Sequence, residues 1–322
     1  MMMSKMVSPS RLLVVIGSVL LLLFPLMSDS RSTLILLTQI FIYAVFAMSY
    51  DILLGYTGIV SFGHAMFFGI GAYTTGIMMN KWDHTLAVFL LAIVVVLILT
   101  GIVSYIIGIL SLRLKSHYYA MLTLAFAGLF LVLAEKWRSI TKGNDGFTFY
   151  IPELLKDREA FYFIAFLFML VMFYCLKRFT ESPVGKVLQA IRENEQRTES
   201  LGYKIHHYKI IASVIAGVVA GFSGAFYAVT LRFVNTAVFS TNVTLDALLM
   251  TIIGGVGTLY GGIIGAALIL LAHAGLTDLA KVHWIFERWL IFFGAVYILA
   301  VKFFPLGIVG TIKQWRSKVK RV

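Results

Sequence analysis

The ionisable side chains that interrupt the apolar stretches of this chain are few: Asp51, Glu135, Asp246, His64, His117 and His273. Charge inside a membrane is costly, so each is a functional suspect by default. Acids at mid-span would couple transport to protons or sodium, but these residues lie mostly near the ends of apolar runs. Asp51 abuts a glycine-rich turn, and its favoured reading is a helix-end residue that reaches the cytoplasmic interface. No facing polar dyad suits an intramembrane enzyme. The chain has no G-x-x-x-x-G-K-[ST] loop to bind ATP, and neither H-E-x-x-H nor C-x-x-C to hold zinc. The expectation is a protein that is not an enzyme and that carries no catalytic residue, metal or cofactor of its own. The lone Cys175 cannot form an internal disulfide and reads as a small buried hydrophobe.

Glycines supply a second pattern. Gly55, Tyr56, Thr57, Gly58, Ser61 and Gly63 fall in one cluster, and Gly254, Gly255, Gly257, Gly261 and Gly262 in another. Interrupted segments at corresponding positions of two halves point to a transport path. The alternative is close packing of helices against small residues, which suits Gly69, Gly71 and Gly76 better. The candidate pathway or gate set is therefore Asp51, Gly55, Tyr56, Thr57, Gly58, Ser61, Gly63, Gly254, Gly255 and Gly257.

A polar, basic stretch over 181–209 is set between apolar runs. Ser182-Pro183 is a helix start, a capping hydroxyl followed by proline at the first helical position. Val184, Val187, Leu188 and Ile191 then recur at helical spacing and form one apolar stripe. A short helical run follows Asn194 and closes at Gly202, a residue suited to a left-handed cap. The stretch reads either as a docking helix for a cytoplasmic partner or as an amphipathic helix resting on headgroups. The fixed stop and the second helix favour docking.

The elements that must carry these residues are membrane spans. Of the 322 residues, 13% are charged, and the mean hydropathy is +0.91; a soluble domain carries about 25% charged residues. The net charge of +12 sits mainly between and after apolar runs, where it sets orientation and meets anionic lipid rather than nucleic acid. Ten windows read as spans: 12–27, 33–54, 63–79, 85–112, 118–134, 160–176, 209–231, 246–257, 262–276 and 287–304. The first follows Lys5 and Arg11 like a signal peptide, but Ser28-Asp29-Ser30 lacks the small-x-small cleavage pattern. Splitting 246–276 at its glycines places Arg113, Lys115, Lys177, Arg178 and the basic tail on one side, with both termini cytoplasmic. Loop 136–158 is then left outside despite five basic residues. The expected architecture is an all-α integral membrane protein, one domain over 1–322, with a cytoplasmic helix-turn-helix at 180–208 and a basic tail at 306–322.

Three motifs carry a family resemblance. Asp51-Ile-Leu-Leu-Gly-Tyr-Thr-Gly-Ile-Val-Ser-Phe-Gly-His-Ala-Met-Phe-Phe-Gly-Ile-Gly-Ala-Tyr73 resembles the start of the permease subunits of branched-chain amino acid ABC importers, the LivM type. Gly185-Lys-Val-Leu-Gln-Ala-Ile-Arg-Glu-Asn-Glu195 through Leu201-Gly202, continuing into 217–227, is similar to that family's ATPase-coupling loop. Ile252-Ile-Gly-Gly-Val-Gly-Thr-Leu-Tyr-Gly-Gly262 resembles its later glycine motif. The chain departs from the family at Thr198 and Ser200, where alanines are common, and at Lys142, where the outer loop often has glycine.

The resemblance implies an inner-membrane, multi-pass permease for leucine, isoleucine or valine, with urea or short amides as same-family alternatives. It implies a second related permease as heterodimer partner, two cytoplasmic ATPase subunits that bind the ATP, and an extracytoplasmic solute-binding protein. Coupling to the ATPase would fall to Gly185, Ala190, Ile191, Arg192, Glu193, Asn194, Glu195 and Gly202. A stand-alone secondary carrier is the reading from a different class.

Overall fold

The computed structural model describes residues 30–114 and 116–280, together with 294, 307–308 and 310–311. The expected spans at 12–27 and 287–304, the basic tail apart from those few residues, and both termini lie outside the described residues.

Helix α1 (Arg31–Thr57) runs from Arg31 to a left-handed cap at Gly58. Then come α2 (Ala65–Lys81), α3 (Leu86–Ser111) and α4 (Ser116–Lys136). The short helices α5 (Arg138–Thr141) and α6 (Glu153–Lys156) flank strand β1 (Phe147–Thr148). Helix α7 (Arg158–Glu181) leads to α8 (Pro183–Glu193) and α9 (Glu195–Ser200). The chain continues through α10 (Ile205–Leu231), strand β2 (Phe233–Val234), α11 (Thr241–Gly254) and α12 (Leu259–Ala280). Six helices among the described residues are long and apolar enough to cross a membrane: α1, α3, α4, α7, α10 and α12.

Helix α1 is the axis of the bundle. It packs against α7, α10, α11 and α12, while α10 also packs on α2 and α3. Small residues permit the closest approaches. A Cβ on Gly71 would overlap the Gly221 carbonyl, and one on Gly224 would overlap the Phe68 carbonyl. The close-packing reading of Gly71 therefore holds. On the outer helices the unburied faces are apolar, as lipid contact demands: Leu90, Val94, Ile98 and Ile102 of α3 are all exposed. Cys175 shares such a face on α7. Its expected burial is corrected, because a peripheral span covers only the side that meets its neighbours.

Two helices are too short to span. Helix α2 has 17 residues and α11 has 14, against about 20 for a crossing. Each is preceded by irregular chain that dips into the bundle. From Gly58 the backbone passes back alongside α1, so that His64 Nε2 lies 2.8 Å from Ser49 Oγ. Ser49 is about 12 Å inside the end of α1 at ~1.5 Å per residue. At the opposite end β2 pairs antiparallel with β1, Phe147 facing Val234 and Thr148 facing Phe233. The chain then turns inward, and Phe239 stacks on Tyr73 of α2 with ring centroids 5.4 Å apart. Non-helical backbone at such depth is tolerated because it is buried in protein.

The two half-helices start side by side. Thr244 Oγ1 of α11 accepts a 2.9 Å hydrogen bond from the Ala65 N–H of α2. From this junction α2 and α11 run to opposite ends. Since α1 and α10 also run in opposite senses, the unit α1–turn–α2 and the unit α10–turn–α11 are inverted copies in topology. The expected pairing of interrupted segments is thus corrected. The counterpart of 58–64 is 233–240, not the glycine turn 254–262. The expected helix break within 246–276 is present, between Gly254 and Leu259.

Candidate functional site

The helix-turn-helix forms as its residues dictate. Ser182 Oγ accepts from the Gly185 N–H at 3.3 Å and caps α8, with Pro183 at the first helical position. Leu188 and Ile191 are buried, and Val184 and Val187 pack against the same core. Burial of the first two side chains contributes about 1.5–3 kcal/mol each. Gly185 sits against the carbonyls of Phe179 and Thr180, where a Cβ has no room. Asn194 Oδ1 accepts from the Arg197 N–H at 2.9 Å and starts α9. Gly202 closes α9 with φ 89°, its N–H donating to the Glu199 carbonyl at 2.8 Å. Lys209 Nζ reaches Glu195 Oε1 at 2.8 Å and ties α9 to α10.

Helix α8 does not rest loosely on the bundle. The Arg192 guanidinium turns inward and donates from Nη1 to the Gly55 carbonyl in the last turn of α1. Its stem covers Gly58, and Nη1 also lies beside Gly257. A cleft of about 600 Å³ opens along the polar side of α8, lined by Tyr56, Lys177, Glu181, Lys186, Glu193 and Tyr260 among others.

Beneath Arg192 the two glycine turns meet. Asp51 is fully buried, and its Oδ1 accepts a 2.7 Å hydrogen bond from the Gly257 N–H. The expectation that Asp51 reaches the interface is corrected: its acceptor oxygen turns across the bundle to the α11–α12 turn instead. Gly55 makes this possible, because a Cβ there would overlap Asp51 Oδ1 and the Gly257 nitrogen. Gly257, with φ 78°, and Gly255, with φ 127°, hold the turn in backbone that other residues rarely adopt. Gly55, Tyr56 and Thr57, expected within the turn, instead complete the last turn of α1.

The remaining sequence candidates fall into two groups. Ser61 and Gly63 lie on the inward-dipping segment: the Ser61 carbonyl accepts from Tyr50 Oη at 3.0 Å. Gly63 packs on the Thr123 backbone. Gly254 abuts the Gly261 carbonyl. By contrast Glu193, Asn194, Glu195 and Gly202 are exposed, and Ala190 is partly so. Of these, Glu193 lines the same cleft as Gly55 and Gly257, and Leu201 is 71% exposed. Sequence reasoning missed Thr244 and the 233–240 segment. Their only local signal is a mixed stretch, Asn235 to Asn242, in which polar residues flank Ala237-Val238-Phe239.

The arrangement is a linkage of contacts between α8, α1 and the α11–α12 turn. It holds no nucleophile–base pair, and no cluster of metal-ligating side chains occurs among the described residues. Arg192 joins α8 to the end of α1, and Asp51 and Gly257 join α1 to the α11–α12 turn.

Comparison with known proteins places the linkage in context. The model of the family described as branched-chain amino acid transport system, permease component, matches residues 32–301. The high-affinity branched-chain amino acid transport system permease protein LivM of Escherichia coli is 24% identical over 309 residues, covering 87% of this chain and 70% of the relative. The probable LivM permease of Methanocaldococcus jannaschii is 24% identical over 318 residues, covering 83% and 90%. The BraD permease of Pseudomonas aeruginosa is 23% identical over 300 residues, covering 87% and 94%. No solved structure matches the chain significantly.

Proposed function

Because the chain belongs to the family of branched-chain amino acid transport system permease components, we propose that it is the membrane-spanning permease subunit of an ATP-driven ABC importer for leucine, isoleucine or valine. It crosses the inner membrane about ten times with both termini in the cytoplasm. It pairs with a second, related permease. Two cytoplasmic ATPase subunits bind the ATP, and an extracytoplasmic binding protein delivers the solute.

The observation that carries this reading is the double attachment of α8. An ATPase that pushes on the exposed side of α8 and α9 displaces Arg192, and with it both glycine turns. Packed helices with two discrete arrangements convert such a push into alternating access. The exposed Leu201 offers an apolar contact to the partner. In this division of labour the permease performs no covalent chemistry, which agrees with the absence of a phosphate-binding loop.

The test is co-purification and uptake. An ATPase should come down with this chain and be lost when residues 181–209 are replaced by a flexible linker. In a deletion strain, uptake of radiolabelled leucine should return with the intact chain. Restored uptake of urea or an aliphatic amide with no leucine uptake would move the substrate to the same-family alternative. Accumulation of solute by vesicles that hold this chain alone would overturn the reading altogether.

A further inference from the structure

At the start of α11, away from the Asp51 clamp, lies a cavity of about 200 Å³ lined by Tyr43, Phe68, Tyr227, Asn235, Ser240 and Val243 among others. Its volume is about seven times the ~30 Å³ share of a water molecule, the scale of a small aliphatic amino acid. The walls are aromatic and apolar on one side. Tyr43 and Tyr227 pack edge to face with centroids 5.6 Å apart, and Phe68 lies 5.1 Å from the Tyr227 ring. Both tyrosine hydroxyls lie within electrostatic reach of each other and of Asp246, which borders the cavity without being one of its lining residues. Asp246 stands three residues beyond Val243, on the same face of α11. It is half-buried and forms no salt bridge with any described residue.

A carboxylate within the bundle that has no cation among the described residues is costly to keep. The α11 start that carries it is also the junction of the two half-helices, the place where inverted repeats hold their ligands. We infer that Asp246, with the Tyr43 and Tyr227 hydroxyls, forms a solute subsite within this chain that takes the ammonium group of a small apolar amino acid. Phe68 and Val243 supply the apolar wall for its side chain. The inference rests on the proposed role as an amino acid permease and adds to it a place where that solute is held in transit. It also assigns selectivity to the permease: a solute without the ammonium group leaves the half-buried Asp246 carboxylate unpaired, at a cost that favours the amine-bearing solute.

The experiment measures binding of two probes to the purified complete transporter without its binding protein: L-leucine and 4-methylpentanoate, which is leucine without the amino group. The wild type should bind leucine at least tenfold more tightly than 4-methylpentanoate. Asp246→Asn should weaken leucine at least tenfold and leave 4-methylpentanoate unchanged, so that the preference disappears. Asp246→Glu should restore much of the preference. Tyr227→Phe keeps the ring packing and should weaken leucine severalfold, a second route to the same answer if the asparagine variant fails to assemble. Unchanged leucine binding in both Asp246→Asn and Tyr227→Phe overturns the inference, as does an equal loss of both probes or no leucine binding by the wild type. Leucine uptake by the wild-type importer alongside any of these failures removes the subsite alone, whereas absence of leucine uptake removes the proposed function.

Discussion

The Asp51 carboxylate accepts a hydrogen bond from the Gly257 N–H at 2.7 Å, joining residues 206 positions apart in the chain. Arg192 lies on top of this bond, against Gly55 on one side and Gly257 on the other. Three segments that are separate in sequence are therefore in direct contact at the end of the bundle that carries α8.

The clamp makes a first prediction. Asp51→Ala leaves a partly buried N–H without its acceptor, at a cost of about 1 kcal/mol or more. The solubilised transporter should melt several degrees lower, and uptake should fall at least tenfold. Asp51→Asn keeps an acceptor oxygen and should lose much less. Equal melting of the wild type and the alanine variant would show that the bond does not matter.

Gly55→Ala tests the close approach from the other direction. The added methyl cannot coexist with the Asp51–Gly257 bond, and such overpacking costs about 1–3 kcal/mol. The transporter should still assemble with its ATPases, but ATP hydrolysis should proceed with little uptake. The ratio of solute moved to ATP consumed is the measurement; an unchanged ratio would count against the linkage.

Arg192 is expected to be a positioning residue. Its guanidinium meets two turns at once, a geometry that lysine's single ammonium does not reproduce. Arg192→Ala and Arg192→Lys should both retain co-purifying ATPase while lowering the uptake-to-hydrolysis ratio, alanine the more severely. Loss of the ATPase with either substitution would place Arg192 in the docking contact instead.

Ser182→Ala should remove the α8 cap, at a cost of about 1 kcal/mol. Hydrogen exchange should rise in residues 183–193 and stay constant in α1 and α10. Uniform exchange throughout would mean that α8 is held by its apolar stripe alone.

Gly71→Ala separates packing from mechanism. The methyl would strike the Gly221 carbonyl where α2 and α10 touch. The expected result is lower melting temperature and lower yield in the membrane, with uptake per folded molecule much less affected than by Gly55→Ala. A normal melting curve would show that the helices can part at this point.

Much of this was legible in the residues alone. The hydropathy of 85–112 and 209–231 placed α3 and α10 within a few residues, because an apolar run of spanning length must satisfy its backbone internally as a helix. Ser182-Pro183 and Gly202 marked the start and end of the helix-turn-helix through short-range chemistry. The glycine turns were visible as composition. Signals of this kind act over one or two helical turns, so they are written in neighbouring residues.

What lay beyond reach were relationships between distant positions. Asp51 read as a helix end because nothing beside it names Gly257 as its partner. The 233–240 segment carried no signal because nothing in Phe233-Val-Asn-Thr-Ala-Val-Phe-Ser240 names Ala65 as the neighbour against which α11 starts. Cys175 read as core because an apolar helix is equally apolar on the face that meets lipid. Local sequence determined which segments become helices and where they stop. Only the packed tertiary structure decided which polar groups meet across the bundle, since a hydrogen bond depends on the position of both partners and a chain's local pattern specifies only one.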